Sequence, residues 1–587
     1  MIDNKNSANE NLKKNKTFGK ANLFSILKPY KINIIFLLFL TILSNGINLA
    51  LPKIIANAID AYSTGKLVIY DVALNFIIAS VIIFMYFQGI LQIYLSEKVA
   101  RDLRKNLAEK ISRQSYLYVQ NANPSKLLTN LTSDIDNIKL FVSQAIVNLV
   151  ASFLLIIGSS TLLLMTNWKL ASLVLLTIPI IAGTFFMVIN KVRVLFKKAS
   201  ELIDRLNKVI NENIIGSAII RVVNVEKDES KKFLVANTDA RNIGLNILSL
   251  FAILIPIIIF VSNIATLTIL TLGGYFVIEN TMTLGDLSAF NGYLFILIFP
   301  ILMIGFMVGL ITQANVSYKR IYDILKVEEK PDLGIINAPL NGNLDVVNLN
   351  LKFGEKYALK NINFSVKKGT KTAIIGPTAA GKTQLLYLLT GLTEPTSGQI
   401  LYEGNDINSY SKNSLHSQIG LVFQDSIMFN ISLKENISFN SKVSEKDLKK
   451  AIETAELSDF IDSLPEKIDT FVLERGTSLS GGQKQRIMLA RALALNPIIL
   501  FLDDFTARVD TVTEKKILSN IQKNYPNLTL VSVTQKIESV ENYEEIILLM
   551  DGELLNKGTH QELLETSQEY VQIFNSQQST NNYELHT

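Results

Sequence analysis

The sequence predicts a two-part fold, in which six transmembrane α-helices with long cytoplasmic extensions are followed by a cytoplasmic α/β domain. Long apolar runs fill the first half of the chain, whereas the second half has the composition of a soluble α/β domain. Hydrophobic residues make up 48% of the 587 residues and charged residues only 19%, which is unusual for a soluble protein. A glycine-rich loop in the second half lies between a strand-like run and a helix-compatible run.

Six apolar runs carry no ionisable side chain, and each has about the 20 residues that cross a hydrocarbon core of ~30 Å. They cover residues 32–52, 73–95, 141–165, 170–190, 245–272 and 287–312. Pro179, Pro256 and Pro300 lie inside three of them, as membrane helices tolerate when neighbours satisfy the freed carbonyl groups. We therefore predict six spans rather than six buried helices of a large soluble protein.

Charge sets the predicted orientation. Residues 96–139 carry eight Lys or Arg and residues 191–242 carry eleven, whereas the opposite connections contain only Lys53, Lys66 and Lys169. Both long connections and both termini are therefore predicted to be cytoplasmic. The net charge of +5 is explained by this topology better than by nucleic-acid binding. The absence of cysteine and the presence of only three histidines exclude a disulfide framework, a thiolate metal site and a His-rich metal centre.

The two long connections are predicted to be helical extensions of the spans. Residues 97–115 and 193–215 are charged, helix-forming stretches, interrupted near residues 119–124 and near Gly216. A short helix at each interruption is expected to dock onto a cytoplasmic domain. Residues 1–19 lack an apolar core and are predicted to be a disordered tail rather than a secretory signal.

The glycine-rich loop has the pattern G-x-x-x-x-G-K-[ST] between a strand at 372–375 and a helix at 384–392. It consists of Gly376, Pro377, Thr378, Ala379, Ala380, Gly381, Lys382 and Thr383, and Gln384 follows it. Backbone N–H groups of such a loop bind phosphate oxygens, Lys382 would reach the β- and γ-phosphates, and Thr383 would contact Mg²⁺. The second half is therefore predicted to be a P-loop nucleotide-binding domain with ATP and Mg²⁺ as cofactors.

A second glycine-rich motif is highly specific. It consists of Leu479, Ser480, Gly481, Gly482 and Gln483, follows Glu474, Arg475 and Gly476, and precedes a predicted helix at 484–494. It matches the signature of the ATP-binding cassette (ABC) family. Together with the membrane-domain stretches 127–136, 212–233 and 282–287, it makes the chain resemble an ABC exporter half-transporter from about residue 24 to 577.

This resemblance implies a domain order and a second chain. We expect a tail at 1–19, a six-helix transmembrane domain at 20–326, a connector at 327–339, an ATP-binding cassette at 340–577 and a C-terminal tail at 578–587. In the family, the signature faces the γ-phosphate bound by the other cassette of a head-to-tail dimer, so a partner half-transporter is required.

The resemblance also implies roles for further residues. Phe353 would stack on adenine, with a core-filling strand residue as the alternative. Gln424 would contact Mg²⁺ or water and sense the γ-phosphate. Asp503, which ends the apolar strand 498–503, would be oriented toward Mg²⁺. His560 is expected to be structural rather than catalytic.

Two positions depart from the family pattern where it activates water. Asp504 replaces the usual glutamate and is shorter by one C–C bond, about 1.5 Å, and a misplacement of ~1 Å can cost on the order of 10²-fold in rate. Gln535 replaces the switch histidine and cannot carry the imidazole proton. Residues 506–510 also depart from the usual D-loop. Ala379 replaces a frequent glycine and would cost ~1–2 kcal/mol if its φ is positive.

These departures resemble the degenerate half of a heterodimeric multidrug-type exporter in a bacterial plasma membrane. Its predicted function is ATP-driven export or flipping of hydrophobic or amphipathic solutes, such as drugs or lipids. The alternatives are drift within an active homodimer, a slow homodimeric lipid or peptide exporter, and an ATP-binding regulatory subunit that moves no solute. The spans also contain uncharged amide side chains, which either line a cavity for such solutes or only donate hydrogen bonds to neighbouring helices. They are Asn45, Asn48, Gln88, Gln92, Gln144, Asn148 and Asn291.

Overall fold

The computed structural model describes residues 23–61, 67–329, 332–439, 443–473 and 476–584. The described residues form two compact units. One contains the chain up to Arg113 and from Ala122 to Glu328, and the other contains Gln114–Asn121 and the chain from Glu329 onward. The predicted tail at 1–19 and the motif residues Glu474 and Arg475 lie outside the described residues.

The described residues of the first unit form helices joined by short turns, with no strand among them. A 3₁₀ helix, Leu23–Tyr30, comes first, and three π-helical segments, Asn130–Asp134, Phe141–Ala145 and Ile269–Gly273, interrupt the longer helices. The α-helices of the first half of the chain are α1 (Lys31–Ala61), α2 (Leu67–Ser112), α3 (Tyr116–Asn121, in the second unit), α4 (Pro124–Thr129), α5 (Ile135–Leu140), α6 (Ile146–Thr166), α7 (Trp168–Leu175), α8 (Thr177–Ile215), α9 (Ser217–Val223), α10 (Glu226–Thr268), α11 (Gly274–Ile278) and α12 (Leu284–Lys326).

Six helical segments are long and apolar enough to cross a membrane, which confirms the predicted spans. They are Leu23–Ala61, Ala73–Ser112, Pro124–Thr166, Trp168–Ile215, Glu226–Ile278 and Leu284–Lys326. In the most apolar stretch of each segment, between 0% and 28% of the residues are buried among the described residues. Large apolar faces are therefore left for lipid or a second chain.

The predicted cytoplasmic extensions and interruptions are also present. Helix α2 runs to Ser112 and α8 runs to Ile215, well past the apolar runs. The short helices α3 and α9 follow at the two predicted interruptions. The π-helical segments were not predicted, because one inserted residue hardly changes an apolar pattern over 40 residues.

A buried polar cluster ties the third span to the sixth. Asp134 is 1% exposed, accepts a hydrogen bond from Ser317 at 2.8 Å and pairs with Arg320 at 3.1 Å. Asn137 also donates to Ser317 at 3.0 Å. Because a buried carboxylate needs partners, this cluster fixes the register of α12 against the start of the third span.

The second unit contains two sheets and is an α/β domain, as predicted. Its strands are β1 (Leu344–Phe353), β2 (Lys356–Val366), β3 (Lys371–Ile375), β4 (Ser397–Tyr402), β5 (Asn405–Asp406), β6 (Ile419–Val422), β7 (Ile499–Asp503), β8 (Thr529–Thr534), β9 (Glu545–Met550) and β10 (Glu553–Gly558). The antiparallel sheet has the order β2-β1-β4-β5. The larger sheet has the order β10-β9-β3-β8-β7-β6 and is parallel from β9 to β6.

Helices surround the larger sheet: α13 (Lys382–Leu389), α14 (Lys412–His416), α15 (Leu433–Ser438), α16 (Glu445–Thr454), α17 (Ser458–Asp462), α18 (Gly481–Leu493), α19 (Thr511–Asn524), α20 (His560–Thr566) and α21 (Gln568–Glu584). Strands β7 and β8 are buried along their whole length, which is typical of parallel strands covered on both faces. Their carboxyl ends, with that of β3, carry the predicted site residues. Helix α21 extends beyond residue 577, where the tail was expected to begin.

Candidate nucleotide-binding site

A cavity of about 590 Å³ opens at the carboxyl ends of β3, β7 and β8. It is lined by Phe353, Lys356, Tyr357, Ala358, Thr378, Ala379, Ala380, Gly381, Lys382, Thr383, Gln384, Gln424, Asp503, Asp504, Val533, Gln535, Asp551 and Gly552. Most of the predicted binding residues and all of the predicted catalytic positions therefore face one space. Gly376 and Pro377 belong to the loop below the cavity but do not line it.

The loop around this cavity depends on two glycines with positive φ. Gly376 has a φ of 156°, and a Cβ there would lie 2.0 Å from the Leu549 carbonyl oxygen. Gly381 has a φ of 97° and precedes α13, whose first residue is Lys382. Ala379 has a φ of 68°, so it occupies the left-handed region in which alanine costs ~1–2 kcal/mol relative to glycine.

Lys382 is folded into its own loop. Its Nζ donates to the carbonyl oxygens of Gly376 and Pro377, at 2.8 and 2.7 Å. The residue is 8% exposed, and burial lowers the pKa of its ammonium group, while Asp504 and Asp503 act in the opposite direction. These carbonyl contacts hold a positive charge at the cavity wall, where an anionic phosphate would compete for it.

Asp503 and Thr383 form the candidate cation site. Thr383 Oγ1 donates to Asp503 Oδ1 at 3.2 Å, and Asp503 Oδ2 is buried with no hydrogen-bond partner among the described residues. Burial raises the pKa of Asp503 to about 6, and the nearby Asp504 adds to this while the Thr383 bond opposes it. A hard cation fits these oxygens, because it would satisfy the orphaned Oδ2 and favour the ionised carboxylate.

The two residues that differ from the family pattern, Asp504 and Gln535, directly follow the neighbouring strands β7 and β8. Asp504 follows β7 with a φ of 47°, and its N–H donates to the Val533 carbonyl oxygen at 2.9 Å. Burial raises the pKa of Asp504, while Lys382, Lys536 and Arg508 lower it. Gln535 follows β8 and lines the cavity as well. Asp504 and Gln535 therefore line the same cavity as the phosphate loop, and their roles toward a nucleotide stay a prediction.

Phe353 ends β1 and is 49% exposed at the cavity, which does not fit the alternative of a core-filling residue. Sequence reasoning missed six lining residues: Lys356, Tyr357 and Ala358 at the start of β2, Val533 in β8, and Asp551 and Gly552 in the turn between β9 and β10. The Asp-Gly pair is a hairpin signal that could have identified this turn.

The signature residues form the start of α18. Ser480 is its N-cap: the Gln483 N–H donates to Ser480 Oγ at 3.2 Å, and the Ser480 N–H donates to Gln483 Oε1 at 2.8 Å. The helix begins at Gly481, so the predicted start at residue 484 was wrong. Two glycines suggested a loop, whereas the capping box starts the helix before them. In the described part of the chain, these residues do not line the cavity. That they bind the nucleotide of a second cassette stays a prediction from the resemblance.

An aromatic path connects the short helix α3 to the phosphate loop. The ring of Tyr116 lies 5.3 Å from that of Tyr387 in α13, and Tyr387 lies 6.2 Å from Phe423, which precedes Gln424. Helix α3 therefore packs beside both the loop helix and the segment that carries the predicted sensor.

Several span amides bond within the helices. Asn45 donates to the Thr41 carbonyl oxygen at 2.8 Å, and Gln92 donates to the Ser143 carbonyl oxygen. Asn148 lies 3.9 Å from Met307 Sδ. In contrast, Gln88 Oε1 and Asn291 Oδ1 are buried without a hydrogen-bond partner among the described residues. Gln92 and Asn148 thus fit the alternative of bonding to neighbouring helices, whereas Asn45 bonds to its own helix, and Gln88 and Asn291 fit neither case.

Comparison with known proteins gives consistent matches over both halves. A family model described as "ABC transporter transmembrane region" matches residues 34–301, and one described as "ABC transporter" matches residues 359–507. The ABC transporter ATP-binding protein YknU of Bacillus subtilis is 32% identical over 94% of this chain and 96% of its own length. The ATP-dependent lipid A-core flippase of Syntrophus aciditrophicus is 30% identical over 83% of this chain and 82% of its own length.

Two further similarities bear on the fold. The multidrug resistance-like ATP-binding protein MdlA of Buchnera aphidicola is 31% identical over 90% of this chain and 92% of its own length. A solved structure of a bacterial Atm1-family ABC exporter with ATP bound aligns with a TM-score of 0.76. It covers 93% of this chain and 98% of the other at 23% identity, and it supports the fold.

Proposed function

The chain belongs to the ABC transporter family, and from that premise we propose that it is the degenerate half of a heterodimeric exporter of hydrophobic or amphipathic solutes. The family establishes a multi-pass bacterial membrane protein with the fold of an ABC exporter and a cytoplasmic ATP-binding domain. The pairing with a different chain, the degeneracy of the site and the solute class are the parts that we propose.

One observation carries the proposal. The cavity combines a complete phosphate loop, with Lys382 at its wall, and two altered residues on the side of β7 and β8. Asp504 is shorter than glutamate, and Gln535 has no titrating ring. A site built in this way binds ATP but positions and activates water poorly.

The proposal assigns roles to the chain's own residues. Loop N–H groups and Lys382 would bind the phosphates, and Phe353 would stack on the base. Thr383 and Asp503, with Gln424, would hold Mg²⁺, which neutralises phosphate charge when bound. Because Asp504 is half-buried and this raises its pKa, it also carries its negative charge less readily than an exposed carboxylate. We therefore expect ATP to stay bound here for long periods.

Exposed apolar residues on α9 support a partner chain. Ile219, Val222 and Val223 are 70%, 87% and 60% exposed, although they lie in a helix expected to dock onto a cytoplasmic domain. The signature around Ser480 does not line this chain's own cavity, so it is available to complete the partner's hydrolytic site. Closure of the two cassettes on ATP would move α3 and α9 and, through them, the spans.

The solute class is proposed from the spans and from relatives. The predicted spans contain no Asp, Glu, Lys, Arg or His, which disfavours ion coupling. Gln88 and Asn291 offer a passing solute buried amide oxygens that have no hydrogen-bond partner within the described parts of the chain. One similar protein is named a lipid A-core flippase and another is named multidrug resistance-like, and both names suit an amphipathic or hydrophobic solute.

Nucleotide trapping tests the proposal. The chain and an intact half-transporter would be reconstituted together, incubated with radiolabelled ATP and Mg²⁺, and separated from free nucleotide. We expect about one unhydrolysed ATP per pair, and its loss when this chain carries Lys382→Ala. Trapped ADP at both sites would refute the degenerate site. Solute transport by the chain alone in proteoliposomes would favour the homodimer.

A further inference from the structure

The side-chain amide of Gln577 contacts the backbone on both sides of Lys536. Its Oε1 accepts a hydrogen bond from the Ile537 N–H at 3.0 Å, and its Nε2 donates to the Gln535 carbonyl oxygen at 2.6 Å. If the amide were flipped, its oxygen would face the Gln535 carbonyl oxygen and its nitrogen would face the Ile537 N–H, so the two partners fix its orientation. Gln577 is thus a two-point clamp on the segment that carries Gln535.

The clamp is carried by a helix that is firmly attached to the cassette. In α21, Tyr570 is fully buried, and its hydroxyl lies 2.6 Å from Nδ1 of His560. Phe574, four residues later, packs against the main core of the domain. Gln577 lies seven residues after Tyr570 and three after Phe574, which places it on the same helix face. This attachment also supports the predicted structural role of His560.

The clamped segment joins the core to the cavity. Ile537 is fully buried, the Lys536 N–H donates to Thr534 Oγ1 at 3.1 Å, and Gln535 is exposed where it lines the cavity. The backbone of Gln535 is therefore held from the side of α21, while its side chain faces the space proposed for the nucleotide. A change in the position of α21 would move that side chain.

We propose that Gln577 is a positioning residue for Gln535, through which helix α21 sets how firmly this site retains ATP. The inference rests on the proposed function, because it takes Gln535 as a contact of the bound nucleotide. Loss of both hydrogen bonds frees the Gln535 backbone. We expect release of ATP to become about tenfold faster, which corresponds to about 1.4 kcal/mol.

Three substitutions in the full-length chain, reconstituted in lipid nanodiscs, separate the contributions. Gln577→Ala removes both bonds. Gln577→Glu keeps an acceptor for the Ile537 N–H but sets an anionic oxygen against the Gln535 carbonyl. Gln572→Ala is the matched control, because Gln572 is an exposed glutamine of the same helix.

Two readouts are measured for each variant: release of radiolabelled ATP and hydrogen exchange of the peptide covering residues 535–540. With Gln577→Ala, both should become faster. With Gln577→Glu, ATP release should be as fast as with Gln577→Ala, whereas exchange at Ile537 should stay slow. Gln572→Ala should leave both rates unchanged. Gln535→Ala should also speed ATP release, and adding Gln577→Ala to it should have little further effect.

The outcomes distinguish this inference from the proposed function. If Gln535→Ala speeds ATP release but Gln577→Ala behaves like Gln572→Ala, the positioning role is refuted and the proposed site stands. If Gln535→Ala leaves ATP release unchanged, the assignment of Gln535 as a nucleotide contact fails, and the positioning role fails with it. Additive effects of the two alanine substitutions would also refute positioning.

Discussion

The ring of Tyr116 meets the ring of Tyr387 edge to face, with 5.3 Å between the centroids and an angle of 71° between the planes. Tyr116 opens α3, the short helix between the second and third spans, and Tyr387 lies in α13, which begins with Lys382. Burial, and then the hydrogen bond with Tyr116, raise the pKa of the Tyr387 hydroxyl. A movement of α3 would therefore act directly on α13, the helix that follows the phosphate loop, through this contact.

Removing this ring should weaken the coupling of ATP to transport. Tyr116→Ala loses an aromatic pair worth ~0.5–1.5 kcal/mol, so we expect solute-stimulated ATPase of the assembled exporter to fall roughly two- to tenfold. ATP affinity should stay within about twofold. Tyr116→Phe keeps the ring and is the control. Equal stimulation in all three proteins would show that the contact carries no coupling.

The positive φ of Ala379 predicts a stabilising substitution. Its φ of 68° costs ~1–2 kcal/mol for a residue with a Cβ, partly offset by the greater freedom of an unfolded glycine chain. Ala379→Gly should therefore leave the free energy of unfolding of the cassette unchanged or raise it by up to about 1 kcal/mol, measured by denaturant unfolding. Ala380→Gly is the control and should lower it, because Ala380 is buried and has no positive φ. A loss of stability with Ala379→Gly as large as that with Ala380→Gly would contradict this reasoning.

Glu403 should make the cassette sensitive to acid. Its Oε1 accepts N–H bonds from Asn341, Gly342 and Asn343 at 2.8, 2.8 and 3.0 Å. Burial alone would raise the pKa of Glu403, but these donors and the Asn343 side chain outweigh it, so the pKa is lowered from 4.5. Because the pKa of Glu403 is lower in the folded than in the unfolded state, the ionised carboxylate stabilises the fold above pH 4.5. This stabilisation is lost as the pH falls further.

The test of this dependence is the unfolding temperature between pH 3.5 and 7. Glu403→Gln should destabilise the cassette by roughly 1–2 kcal/mol at pH 7 and should flatten the acid dependence. The exposed Glu355→Gln should change neither property. A Glu403→Gln variant as stable as the parent at pH 7 would show that the three donors do not need the charge.

The exposed face of α9 should bind the partner half. Val222→Asp puts a charge on a side chain that is 87% exposed in this chain but would be buried in the assembled exporter, so co-purification of the partner should fall. Ser217→Asp adds the same charge to an exposed residue of the same helix and should not have this effect. Equal recovery of the partner with both variants would remove α9 from the interface.

Local patterns predicted most of the site. The phosphate loop, the apolar strand before Asp503 and the position of Gln535 after β8 each depend on a few adjacent residues, and the structure has them around one cavity. The six spans were equally clear, because lipid requires long uncharged runs.

Contacts between distant residues were not predictable. The Tyr116–Tyr387 pair and the Gln577 clamp join residues far apart in the sequence, and no local pattern records such contacts. The start of α18 was missed for a different reason: glycine has low helix propensity, so Gly481 and Gly482 suggested a loop, whereas the capping box of Ser480 and Gln483 begins the helix there.

The most direct test of the degenerate site is the ATPase rate of the purified chain, alone and together with an intact partner half, with and without Asp504→Glu. We predict that the lone chain is nearly inactive, that the pair is active, and that Asp504→Glu changes the coupling of the pair without making the lone chain a fast ATPase. Turnover of several ATP molecules per second by the lone, unaltered chain would contradict the asymmetric site and establish a functional homodimer instead.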